Sequence, residues 1–194
     1  MFVTTGRRRR VIVLLGALIA LVALSTSASA ARELFFEETA EAFWAVPHAC
    51  ADGTTVEATL LVRTTRDFES PETEDTDPTA RVQYLAVCPD GTSFSWAAPS
   101  VPATITSDNN LKSVTASGTG IARDILGGTH EVSFDVTWTS VGPLVTSVNG
   151  PGSKRQQREA TATGRVTFDG QVLVNGEANH PTRPDPFIRV DTEK

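Results

Sequence analysis

From Thr129 to Thr139 the chain reads THEVSFDVTWT, and Val132, Phe134, Val136 and Trp138 alternate without a break against Glu131, Ser133, Asp135 and Thr137. Successive side chains of a strand point to opposite faces, so this pattern predicts a strand with one buried and one wet face. The same period of two recurs in Thr55–Thr65, through Val56, Ala58, Leu60 and Val62. It recurs again in Ala160, Ala162, Gly164, Val166 and Phe168. Turn signals separate these runs: Asp52-Gly53, Asp90-Gly91, Gly127-Gly128, Asp169-Gly170 and Asn175-Gly176. About eight or nine strands with turns every 8–12 residues predict an all-β, antiparallel two-sheet sandwich, with a closed barrel as the alternative the pattern also allows. Arg32–Glu38 reads as a short helix on propensity. A first strand is expected near residues 39 to 46, ended by Pro47. Pro99 and Pro102 read as a crossover loop, and Lys154–Arg158 as an exposed basic connection.

The N-terminus carries a different signal. Arg7–Arg10 precede the apolar run Val11–Leu24, and Ala28-Ser29-Ala30 matches the small-residue cleavage pattern. This is the layout of a secretory signal peptide over residues 1–30, with the cut between Ala30 and Ala31. Fourteen residues are short for a membrane span, which needs about 20. The expected product is therefore one extracellular domain, 31–194, and anchoring by residues 11–24 is the alternative. The leader holds four of the 17 basic residues and no acid, so the remainder carries 13 basic against 23 acidic residues. Such a balance argues against nucleic acid and against an anionic membrane surface as partners.

Cys50 and Cys88 are the only cysteines. Export to an oxidising space predicts a disulfide between them, worth about 4 kcal/mol by loop entropy. Each opens the pattern C-x-D-G-T, so each is expected just before a hairpin turn.

Two later segments carry a resemblance. Asp135-Val136-Thr137-Trp138-Thr139-Ser140-Val141-Gly142-Pro143-Leu144 and Arg158-Glu159-Ala160-Thr161-Ala162-Thr163-Gly164-Arg165-Val166 are similar to a loose group of secreted bacterial β-proteins. In that group a D-x-T-W-T-x-x-G-P-L strand precedes an R-x-A-x-A-x-G-x-V strand. The resemblance implies secretion and β-architecture. The group has no assigned activity, so no functional residue transfers.

Chemistry is sparse. His48, His130 and His180 fit no metal-ligand spacing; His48 and His180 read as loop residues and His130 as the start of the central strand. Asp52-Gly53-Thr54 and Asp90-Gly91-Thr92 invert the aspartic-protease order and read as turns. Gly118-Thr119-Gly120 lacks the third glycine of a dinucleotide fingerprint. Glu72, Glu74, Asp75 and Asp77 offer oxygens for Ca²⁺ in an acidic loop that reads better as solvated. Trp44, Trp96, Trp138 and Tyr84 lie on the apolar phase of their strands and read as core rather than as sugar platforms. The small residues Val114, Ala116, Gly118, Gly120 and Ala122 suggest that a large ring, Trp138 or Trp96, packs over them. Lys154, Arg155 and Arg158 form a short basic patch.

No residue is assigned as catalytic, cofactor-binding or metal-ligating, and no cofactor is expected. The reading is a non-catalytic extracellular binding or scaffolding domain whose partner is a ligand or protein outside the cell. The alternatives are a hydrolase in which acids such as Asp108, Asp124 and Asp135 converge in a cleft, and a structural surface protein.

Overall fold

A computed structural model describes residues 35–68, 77–108 and 110–193. The signal sequence, the Ala30–Ala31 cut, and Glu72, Glu74 and Asp75 of the acidic loop lie outside them. Among the described residues ten strands follow one another: β1 (Phe35–Ala49), β2 (Thr55–Phe68), β3 (Thr79–Val87), β4 (Ser93–Ser107), β5 (Ser113–Asp124), β6 (Thr129–Ser140), β7 (Val145–Gly150), β8 (Ser153–Phe168), β9 (Gln171–Glu177) and β10 (Phe187–Glu193). The all-β antiparallel frame is the one expected from the alternation.

The favoured two-sheet sandwich gives way to its alternative, a closed barrel. β1 to β6 pair in sequence, β8 pairs with β6, and β10 pairs with both β8 and β1. Eight strands therefore form a ring, β1-β2-β3-β4-β5-β6-β8-β10. Closure is a long-range pairing of residues 35–41 with 187–193, and no local pattern announces it. The 16-residue β8 is the hinge of this arrangement. Along one edge it carries β7 on residues 153–157 and β6 on 160–168. Along the other it carries β10 on residues 154–159 and β9 on 163–168.

The interior is filled by side chains, as the bore of an eight-stranded barrel permits. β6 supplies the bulk. Trp138 lies in register between Val114 and Ala162, Val136 between Ala116 and Gly164, and Phe134 between Gly118 and Val166. Small residues on β5 and β8 thus make room for large ones on β6 between them. Trp138 lies beside Val114 of the small-residue stripe, whereas the two β5 glycines meet other residues most closely. A Cβ on Gly118 would sit 3.0 Å from the Phe134 ring and 2.5 Å from the Pro102 carbonyl, and one on Gly120 would meet Val101 at 3.0 Å. Trp44, Trp96, Trp138 and Tyr84 are buried, as read.

Other local expectations are corrected by pairing. Of the expected helix, residues 32–34 lie outside the described residues, and Phe35–Glu38 are strand because β10 pairs with them on one side and, from Phe36, β2 on the other. Pro99 and Pro102 do not interrupt β4. Between Ala98 and Val101 the strand carries one extra residue relative to β3, a bulge that re-phases the inward set from Trp96 and Ala98 to Val101, Ala103 and Ile105. Residues 154–158 belong to β8: β10 pairs with all of them, and β7 pairs with 154–157 on the other side.

Pro47 also lies inside its strand. Beyond Glu41, β1 loses its β10 partner and faces β9 without a backbone ladder. Side chains close this seam instead. The Trp44 indole N–H donates to the Gly176 carbonyl at 3.2 Å, and the Ala45 amide donates to Asn179 Oδ1 at 3.4 Å. His180 Nε2 meets Thr59 Oγ1 at 2.8 Å. Pro47 shares the phase of Ala45, so its missing N–H falls on the side where no ladder exists.

At the end of the barrel where β1 begins, the inward face turns polar. Glu38 is 5 % exposed. Its Oε2 accepts from Arg66 Nη2 and from Ser107 Oγ, both at 2.9 Å. Ser107 Oγ also accepts from Arg66 Nη2 at 2.6 Å.

Candidate functional site

The opposite end is built from hairpin turns of a common design. Cys50 N–H donates to Thr54 O and Gly53 N–H to Cys50 O, at 2.8 and 3.0 Å. The same two bonds recur at the same distances between Cys88, Thr92 and Gly91. Gly53 and Gly91 hold φ near +81° and +83°, a region where a side chain is strained. Asp52 Oδ1 accepts from the amide and hydroxyl of Thr54, at 2.9 and 2.6 Å, and Asp90 does the same with Thr92 at 2.9 and 2.7 Å. These bonds to the threonine hydroxyls, then the amides, hold both carboxyls below the usual range. Asp52 and Asp90 are therefore turn-formers, as the residue order indicated. Their twin geometry sets Cys50 and Cys88 6.0 Å apart at Cα, and the expected disulfide joins them. A buried disulfide is consistent with an oxidising, extracellular location.

Across this end runs a row of rings. His48 stacks on Phe94 at 5.5 Å between centroids, Tyr84 on Trp96 at 5.6 Å, Trp96 on Phe168 at 4.6 Å, and Phe168 on His130 at 4.6 Å. Tyr84 also meets Phe94 edge-on at 6.0 Å, which joins the two halves of the row. His48 is not in a loop: it lies within β1, and its Nδ1 is 3.0 Å from the Tyr84 hydroxyl. Burial raises the Tyr84 phenol above its ordinary value of 10.0.

His130 is bracketed by two carboxylates. Its Nδ1 lies 2.8 Å from Asp169 Oδ2, and its Nε2 lies 3.1 Å from Asp124 Oδ2. Both nitrogens face carboxylate oxygens, an arrangement that favours the doubly protonated ring. The hydrogen bonds to Asp169 and then Asp124 raise its pKa above the usual 6.5. The bond from His130, with backbone amides behind it, lowers both carboxyls: Gly128 N–H donates to Asp124 and Glu131 N–H to Asp169. With neither nitrogen free and both acids engaged, this trio is a clamp between the β5–β6 turn and the β8–β9 turn.

The clamp has a definite pH signature. A raised imidazole pKa contributes stability below 6.5, and that contribution is lost as pH rises through the folded-state value. Lowered carboxyl pKa values contribute above 3.8, and that contribution is lost as pH falls through theirs. The clamp is therefore strongest between these limits. An NMR titration of the His130 ring is expected to give a midpoint above 6.5. A midpoint at or below 6.5 overturns the clamp.

The remaining candidates are dispersed. Asp108 caps the β4–β5 turn through the amides of Asn110 and Lys112, at 3.0 and 2.7 Å. Asp135 lies on the outer face of β6, in register with Ser117 and Arg165. Asp108, Asp124 and Asp135 thus sit at one end, the other end and the wall of the barrel. The basic patch also divides. Arg155 forms a two-pronged pair with Asp191 at 2.7 and 3.2 Å, which raises its pKa, whereas Arg158 donates to the carbonyls of Asn110 and Gly142. Sequence reasoning missed the partner of His130, Asp169, although its place in an Asp-Gly turn was legible.

One apolar feature stands outside the ring. Among the described residues, β7 pairs with β8 alone, so its other edge is open. Val145 and Val148 on it are 61 % and 75 % exposed, and Val141 and Leu144 just before it are exposed as well. No charged residue occurs from Val141 to Ser153. A groove of about 260 Å³ runs beside the strand, between Pro143 and Val145 on one wall and Arg155, Gln157 and Glu159. In comparisons with known proteins, no family model, no curated protein and no solved structure matches the chain.

Proposed function

We propose that the protein is a non-catalytic scaffolding domain of the cell exterior that associates with a second copy of itself through the open edge of β7. The observation that carries this reading is that edge: β7 is a short, uncharged strand with two exposed valines, paired to β8 on one side and to no strand on the other among the described residues. Unpaired strand edges template pairing with another chain, and natural proteins shield them with charge, proline or cover. Here Val145–Gly150 carries no charge, no proline and no cover among the described residues; its shortness and the bulge between Val148 and Gly150 are its only guards. Antiparallel apposition about Thr146 sets Leu144 opposite Val148 of the other copy, so the apolar residues meet twice by symmetry. The chain is net acidic, yet this stretch brings no like charges together. The leader sequence and the buried disulfide support the extracellular setting.

Light scattering coupled to gel filtration tests the proposal. The mature chain, 31–194, is expected to elute with the mass of two chains at micromolar concentration. Val148→Glu places a carboxylate at each apolar contact and is expected to weaken the association at least about tenfold, which is about 1.4 kcal/mol. A wild-type chain that remains single, or a Val148→Glu chain that stays paired, overturns the assignment.

A further inference from the structure

His48, Cys50 and Cys88 bring one imidazole nitrogen and two sulfurs within 4.8 Å of one another. As long as the sulfurs are bonded to each other, neither is a thiolate and no ion is held. We infer that reduction of the Cys50–Cys88 bridge converts this corner of the barrel into a site for a soft divalent ion such as Zn²⁺, with His48, Cys50 and Cys88 as its protein ligands.

The chemistry balances in two steps. A dithiol reductant gives two electrons and two protons to the bridge, leaving two thiols and its own disulfide. The ion then displaces both thiol protons, so Zn²⁺ and two thiolates make a neutral centre with the imidazole. In tetrahedral coordination, zinc–sulfur bonds of about 2.3 Å place the two sulfurs about 3.8 Å apart. That separation lies within the sphere the three donors already share. With three protein ligands, a water completes the fourth position.

The surroundings orient the imidazole for this role. Tyr84 OH engages His48 Nδ1 at 3.0 Å, which leaves Nε2 for the ion. Phe94 stacks on the ring at 5.5 Å and fixes its plane, and Trp96 does the same for Tyr84. A ligating histidine whose second nitrogen is held by a hydrogen bond is the usual support for such a centre. The backbone bonds of the two C-x-D-G-T turns do not involve sulfur, so reduction itself breaks none of them.

Co²⁺ serves as the probe, because thiolate coordination gives it charge-transfer and visible bands. The chain is reduced with a phosphine, which does not leave a competing thiol. One equivalent of Co²⁺ is then expected to produce those bands in the reduced chain and none in the oxidised chain. His48→Ala is expected to lose them, and Tyr84→Phe to bind about 10–100-fold more weakly. If reduction alone loosens the barrel, metal binding is coupled to folding. Zn²⁺ then raises the unfolding temperature of the reduced wild type and not of His48→Ala. Absence of both the bands and the temperature rise in the reduced wild type overturns the site. So does an equal response in His48→Ala.

Discussion

Replacing Trp138 with alanine is expected to lower stability by about 3–5 kcal/mol, the cost of emptying a large aromatic site in a packed interior. For a domain of this size that is a fall in unfolding temperature of roughly 6–20 °C. Trp138 is fully buried and fills the space left by Val114 and Ala162 on the flanking strands. Neither neighbour is large enough to collapse into the void. Trp138→Phe sharpens the test. The indole N–H has no hydrogen-bond partner among the described residues, and an unpaired buried donor costs about 1–3 kcal/mol. Phenylalanine removes that donor together with some volume, so it is expected to cost much less than alanine. Equal losses from the two variants, measured by chemical denaturation, contradict a tightly filled bore.

Removing the bridge by Cys50→Ala with Cys88→Ala is expected to cost about 4 kcal/mol, or roughly 8–16 °C in unfolding temperature. The bond ties the β1–β2 hairpin to the β3–β4 hairpin at their tips, across a separation of 38 residues in sequence. Without it the denatured chain regains the freedom of that loop. β2 still pairs with β3 through Thr59–Thr65, so the barrel wall persists and the loss falls mainly on the denatured side. A change below about 1 kcal/mol in denaturant unfolding contradicts this account.

Strands and turns were legible in this sequence because both are local. Alternation at Val132–Trp138 and the Asp-Gly pairs at 52–53, 90–91 and 169–170 each fix a backbone conformation from a few residues. Closure was not legible, because it rests on Phe35–Glu41 meeting Phe187–Glu193, and neither segment alternates in a way that names its partner. Pro47, Pro99 and Pro102 misled for a related reason. A proline stops a strand only where its missing N–H or its kink falls on a ladder. One here faces a seam without a ladder, one lies in a bulge and one just beyond it. At the hairpin end, Cys50, Cys88 and the twin turns followed from spacing. The clamp on His130 did not, since Asp124 and Asp169 reach it from turns on either side of β6 and β8. The proline before His48 disguises its place in β1, since Pro47 signals a strand end by sequence alone.

The double role of β8 bears on how the chain acquires its shape. Strands β1 to β6 each pair with the next in sequence, but by themselves they form only an open ribbon. The ring waits for β8 and then for β10, whose residues are the last of the described chain. Pairings of such large sequence separation are the slow ones, because the closure entropy comes before the contacts that reward it. Until then β1 offers a bare edge to any other strand. A chain shortened after Pro186 keeps every hairpin and loses the latch, so its fate is expected to be association rather than simple unfolding.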